Sequence, residues 1–135
     1  MGFSLYASGL LVKQFFNAVT FAWPTTLYVG LFTVQPSGGA GGTECSYSGY
    51  ARLQVNPTTA NWSINASNVA SNVSQLNFAV NGGSSITVVG YGLFDALTAG
   101  NLWNDVAAGT AQAIATGINP YIPVGALTVK YLVAP

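Results

Sequence analysis

The stretch Glu44-Cys45-Ser46-Tyr47-Ser48-Gly49-Tyr50-Ala51-Arg52 holds the only thiol, the only glutamate and the only arginine of the chain. The remaining charges are Lys13, Asp95, Asp105 and Lys130, and there is no histidine. A thiol, a carboxylate and a guanidinium crowded together suggest either a reactive site or an ion-pair clasp. Without histidine the commonest general base and metal ligand is missing, so neither a Ser–His–Asp nor a Cys–His nucleophile can be built. The acids left for a carboxylate pair are Asp95 and Asp105, which flank the turn 96–104, so a hairpin would bring them together. A glycoside-cleaving pair needs a polar groove as well. The plainer reading gives Asp95 a turn-capping role and leaves Asp105 a solvated edge residue.

One cysteine rules out an internal disulfide and a multi-cysteine zinc site. The glycines at 38–42 and around Tyr91 have no Lys-Ser or Lys-Thr after them, so they do not read as phosphate loops. Gly90 and Gly92 instead mark a bulge or a close approach within a strand, with Tyr91 facing the opposite side. No catalytic, cofactor-binding or metal-ligating residue is assigned. Glu44 and Arg52 sit at the two ends of a Ser/Gly turn, and folding back would let them pair through two parallel hydrogen bonds. They are expected to form a clasp fixing loop 35–49, within the subunit or toward a neighbour, with Cys45 packed beside it.

These residues sit in an unusual composition. Hydrophobic residues make up 50% of the chain and charged residues 4%, with zero net charge and a mean hydropathy of +0.44. A typical soluble domain carries roughly 25% charge. A surface so poor in charge associates readily, so much of it is expected to be covered in the working state. Three basic residues cannot make an electrostatic footprint for nucleic acid. Residues 14–34 are uncharged and long enough to span a bilayer, but Asn17 and Pro24 interrupt them and no Lys/Arg cluster flanks them. No membrane partner is therefore expected. The start of the chain does not have a basic region ahead of its apolar run, and Tyr6 stands where a myristoylation motif needs Ser or Thr. The sequons at Asn61, Asn65 and Asn72 are expected by chance in so Asn- and Ser-rich a stretch.

At 135 residues the chain fits one domain. Residues 4–19 read as an amphipathic helix within an N-terminal arm (1–22), with Leu5, Val12, Phe16 and Val19 on one stripe widened by Leu11 and Phe15. Ser4 is the N-cap and Pro24 the stop. Two readings are open: a helix covering a sheet face, or an arm docking on a neighbouring subunit. From residue 26 the pattern turns to β, with strands expected at 26–34, 49–55, 61–65, 76–80, 86–94, 101–106 and 126–133. Gly-rich loop 36–42 and turns at 80–86 and 95–100 separate them. The segment 107–123 reads as one strand plus a loop or as an extended arm, and residues 107–135 form the C-terminal segment with the last strand. Short strands and Gly/Asn turns specify a single-domain, mainly β fold, a jelly-roll-like β-sandwich with a short N-terminal helix. Most of the aromatic residues belong to the core or an interface, where aromatics are enriched. Phe15, Phe16, Trp62 and Trp103 are the interface candidates.

Taken in order, the N-terminal helix, PTTLYVGLFT (24–33), GGTECSYSGYAR (41–52), an Asn/Ser/Thr-rich middle and GYGLFDALTAGNLW (90–103) resemble a group of small tailed-bacteriophage virion proteins labelled tail-fibre proteins. The match spans about residues 5–106, and Cys45 stands where the group carries an aliphatic residue. The resemblance implies a non-enzymatic, β-rich virion component without a cofactor. Low charge and an apolar surface favour a capsid cement or decoration protein, a homotrimer bridging major capsid proteins on the capsid surface. The alternative is a small tail or tail-fibre component with a receptor- or glycan-binding role.

Overall fold

The computed structural model describes residues 3–130. Helix α1 (Leu5–Asn17) is followed by ten strands: β1 (Tyr28–Val34), β2 (Thr43–Glu44), β3 (Leu53–Gln54), β4 (Trp62–Ile64), β5 (Val69–Asn72), β6 (Leu76–Asn77), β7 (Ile86–Phe94), β8 (Leu102–Ile114), β9 (Tyr121–Ile122) and β10 (Thr128–Lys130). The chain is mainly β, as its turn-punctuated pattern specifies. The main sheet is antiparallel in the order β2-β1-β7-β8, with β3 also pairing with β1. Two small sheets, β10-β5-β4 and β6-β9, supply the opposing layer. One core cluster draws on all three sheets, so the arrangement is a β-sandwich. Its main sheet sets two antiparallel pairs, β1–β2 and β7–β8, side by side through β1 and β7 and is faced by short sheets, less regular than the paired Greek keys of a jelly roll.

Period-two alternation sorts the main sheet into two faces. Val29 and Leu31 of β1, Tyr91 and Leu93 of β7 and Val106 of β8 enter the core with Phe78, Ile122, Leu127 and Val129. The paired residues Gly30 and Gly92, Phe32 and Gly90, and Gly92 and Asp105 lie on the outer face. There Gly90 leaves room for Gln35, and Gly92 for the rings of Phe32 and Phe94. Both glycines thus mark close approaches, with Tyr91 turned the other way into the core.

The strand expected at 101–106 continues to Ile114, which places residues 107–114 of segment 107–123 in β8, paired with β7. The last expected strand is seen at Thr128–Lys130, and residues 131–133 lie outside the described residues. Three short strands, β2, β5 and β9, were not specified by the pattern because two to four residues carry too little periodicity. Asp105 is buried, with Oδ2 accepting from Gln35 Nε2 at 3.3 Å. The solvated edge expected for it is lost because β8 runs on past it beside β7.

Helix α1 is held at its N-terminal end. Ser4 Oγ accepts from Ala7 N at 3.2 Å and donates to the carbonyl of Leu102, and Ser4 N donates to Trp103 O at 2.7 Å. Leu5 N donates to Gly38 O at 3.1 Å. Gly39 adopts φ +77°, and a Cβ there would lie 2.8 Å from Ser4 Cα, so the Gly-rich loop fits only as glycine against the helix start. At the other end Ala18 takes a left-handed conformation and closes onto Lys13 O, and the chain turns back so that Phe21 and Trp23 reach the Trp103 ring. Ala7 is the buried residue of the helix, and residues 12–20 are all exposed. At about 100° per residue, Ala7 and Phe16 point in opposite directions. The apolar stripe therefore faces outward, and the sheet-covering alternative gives way to an exposed arm.

Candidate functional site

The pairing Phe32↔Glu44 between β1 and β2 puts the Glu44 carboxylate on the outer face of the main sheet. The turn at Tyr47–Tyr50, closed by a 2.9 Å hydrogen bond from Tyr50 N to Tyr47 O, brings Arg52 back beside it. Arg52 Nε donates to Glu44 Oε1 at 2.8 Å and Nη2 donates to Oε2 at 2.7 Å, a two-bond fork. Nη1 donates to the carbonyls of Ala96 at 2.7 Å and Ala99 at 2.8 Å. The guanidinium carbon sits 3.4 Å from the centroid of the Phe94 ring. Tyr50 OH donates to Glu44 Oε1 at 2.7 Å and accepts from Leu31 N at 3.0 Å. The expected pairing of Glu44 with Arg52 is present, and it joins three segments: the β2 edge, the 50–52 return and the 95–100 turn.

Arg52 is 8% exposed at its side chain and Glu44 26%, so the pair is dry on the guanidinium side and wet on the carboxylate side. Gly30 forms the floor, where a Cβ would lie 2.9 Å from both Glu44 Oε1 and Phe94 Cε2. Burial pushes the Tyr50 hydroxyl well above its ordinary pKa, and its bond to Glu44 reinforces the shift. The Cys45 thiol is pushed up to about 11, first by burial and then by the Glu44 charge. It stays protonated at neutral pH and is buried, which makes it inert as a nucleophile. Both Glu44 oxygens are engaged by Arg52 and Tyr50. The arrangement can hold loops in place, and it has no free base to offer a substrate.

The far side of the clasp is a second polar knot. Asp95 Oδ1 accepts from Asn101 N at 2.7 Å, and Oδ2 accepts from Asn101 Nδ2 at 2.9 Å and Trp103 Nε1 at 3.1 Å. Burial opposes the charge on Asp95, but these donors outweigh it and hold the carboxyl below its ordinary range. Asp95 therefore caps its turn, as the plainer reading of the sequence has it. Asp95 and Asp105 are engaged by different partners, so the carboxylate-pair alternative has no geometric support. Among the described residues no cluster of three or more His, Cys, Asp or Glu side chains is placed to hold a metal. Tyr50 and Phe94 complete the clasp but escape sequence reasoning, since nothing in a single sequence marks which ring will lie under a guanidinium.

Of the four interface candidates, Phe15 and Phe16 are 83% and 74% exposed and Trp62 is half-buried, whereas Trp103 is only 5% exposed. Trp103 is corrected to an interior residue. It packs against Tyr6, Phe21 and Trp23 and donates to Asp95, acting as the post on which the N-terminal arm rests. Trp23, 54% exposed, is an outward aromatic residue that the helical pattern did not single out because it lies beyond α1. Trp62 lines an open apolar cleft of about 520 Å³ between the main sheet and the β4–β5 layer. No helix among the described residues is long and apolar enough to cross a membrane.

A clasp that fixes loops and an aromatic arm that faces solvent suit a part that assembles more than one that turns over substrate. A family model for podophage GP4 fiber I protein gp80 matches residues 2–130. The chain belongs to this Gp80 family. It is a phage fiber or virion structural protein, as the ordered motifs at 24–33, 41–52 and 90–103 imply, and membership fits a non-enzymatic role. No curated protein matches the chain. The matched span takes in α1, the clasp and the ten strands of the described residues.

Proposed function

We propose that this Gp80-family chain is a passive, non-enzymatic subunit of a podophage tail appendage, working as a homo-oligomer with the trimer as its expected symmetry. The observation that carries this reading is α1, capped and pinned at Ser4 while Val12, Phe15 and Phe16 are more than half exposed. Exposed apolar residues in such number mark a surface that is covered in the assembled state. The clasp supports the reading by holding the 95–100 turn against the β2 edge without offering a reactive group. Mapping the protein in a reconstruction of the purified particle tests the assignment. Density at the tail is the expected result, and density spread over the capsid shell would overturn it.

The scarcity of charge, six ionic side chains in 135 residues, favours a second reading as a capsid cement protein bridging major capsid proteins. Its mechanism would be mechanical: apolar area buried across capsomer boundaries contributes about 25 cal/mol per Å², offset in part by association and ordering costs. Deleting the protein would then yield particles that assemble but break at lower temperature. A receptor or glycan role rests on Trp62 in its open cleft. Loss of adsorption on Trp62→Ala with particles intact would support it.

A further inference from the structure

Two uncovered apolar features of the same chain fit one another. The first is the free half of α1, where Val12, Phe15 and Phe16 stand 56%, 83% and 74% exposed. The second is the cleft of about 520 Å³ whose walls include Leu27, Trp62, Ile64 and Ala70, with Leu93, Asn104 and Val129 as its buried residues. Its lining carries no charged side chain, and α1 carries a single one, Lys13, on a stem that can lie along apolar surface with its head in water. Seating α1 in the cleft therefore buries no unpaired charge. Among the described residues, none of those lining the cleft belongs to the same chain's α1.

We propose that α1 of one copy docks Phe15 and Phe16 into the inter-sheet cleft of a second copy. This rests on the homo-oligomeric reading above and names the surfaces that would carry it. The occupant is argued from area and from form. A buried Phe contributes on the order of 150–250 Å². Two such rings with Leu5, Val12 and Val19 bring the helix side close to the roughly 800 Å² per partner of a stable specific interface. An amphipathic helix laid into an apolar groove is a recurrent recognition mode. Knob and hole are different surfaces, so the contact is head-to-tail and closes as a ring, for which a trimer is the simplest form above the dimer.

The test uses the full-length protein and reads mass by light scattering on a sizing column, with circular dichroism as the check on folding. Phe15→Asp/Phe16→Asp on the knob and Ile64→Asp at the 71% exposed rim of the hole alter surface positions, so both variants are expected to fold like the wild type. Each alone is expected to run as a monomer. Mixed, the knob variant supplies an intact cleft and the rim variant an intact helix, so together they are expected to give a dimer and nothing larger. Phe16→Cys paired with Ile64→Cys should form an intermolecular disulfide under mild oxidation, with Cys45 silent because it is 3% exposed. If Ile64→Asp assembles like the wild type while the knob variant does not, the cleft is not the receptor and the inference is overturned, with self-assembly left standing. If the wild type stays monomeric up to its solubility limit and no cross-link forms, both the inference and the homo-oligomeric reading fail.

Discussion

Removing the Arg52 side chain tests whether the clasp is structural. Arg52→Ala deletes the fork to Glu44, both bonds to the 95–100 turn and the cation–π contact with Phe94. Breaking a buried pair from one side costs about 3–5 kcal/mol, whereas an exposed pair contributes about 0–1 kcal/mol. Here the guanidinium is 8% exposed and the carboxylate 26%, so solvent takes up part of the Glu44 charge that is left behind. Two carbonyls that lose their donor push the cost back up. The expected loss is about 3 kcal/mol, near the lower end of the buried range. For a domain of this length that corresponds to a fall in Tm of roughly 10 °C. Urea titration and thermal unfolding followed by circular dichroism read it directly. Arg52→Lys should recover only part, because an ammonium cannot reproduce the planar fork. A double-mutant cycle with Glu44→Ala should give a coupling above about 1 kcal/mol. A loss under about 1 kcal/mol for Arg52→Ala, or a lysine variant as stable as the wild type, would refute the clasp as a structural element.

Three further outcomes follow from neighbouring geometry. Gly30→Ala sets a methyl 2.9 Å from Glu44 Oε1 and Phe94 Cε2 in a packed face, and unfolding curves should show a loss of about 1–3 kcal/mol. Because Asp95 is held below its ordinary pKa of 3.8, its contribution is present at neutral pH and is lost as pH falls through the folded value. Thermal melts from pH 7 downward should therefore show Asp95→Asn less stable than the wild type at neutral pH and the gap closing in acid; a gap that persists in acid contradicts the assignment. The Cys45 thiol, raised to about 11 and buried, should resist a thiol reagent in the native state and react on unfolding, and rapid native labelling would show the packing to be wrong.

Much of the fold is legible where the pattern is long. The run 86–94 becomes β7 with those bounds, and 26–34 holds β1, since each alternates over enough residues to define two faces. The clasp is legible for a different reason. In a chain with six charges, the only Glu and the only Arg lying eight residues apart across a Ser/Gly turn leave few other partners. What could not be read is set by tertiary placement. Trp103 looks like a surface aromatic residue until the arm folds back over it, and Asp105 looks solvated until β8 extends to Ile114. The stripe marks the helix, yet it gives no sign of which way the helix faces. That is decided by Ser4, whose bonds to the start of β8 turn the small Ala7 inward.

That orientation bears on what the protein is for. Fully burying an aliphatic or phenyl side chain stabilises by about 1.5–3 kcal/mol. A fold selected only for its own stability would turn Val12, Phe15 and Phe16 inward, and the helix carries enough apolar residues to do so. Instead the contact is given to Ala7, and the apolar side chains are held out by a capped, hydrogen-bonded helix start. The helix is thus formed and aimed before any partner arrives, which lowers the ordering cost of association. The clasp does the equivalent for loops, fixing the 95–100 turn against the β2 edge through Arg52. With Glu44, Arg52 and Asp95 engaged in holding loops and Val12, Phe15 and Phe16 facing outward, the arrangement supports the proposed role of a subunit that docks on another protein surface. An isolated subunit is accordingly expected to be the less stable colloid, and the assembled one the form in which its surface is matched.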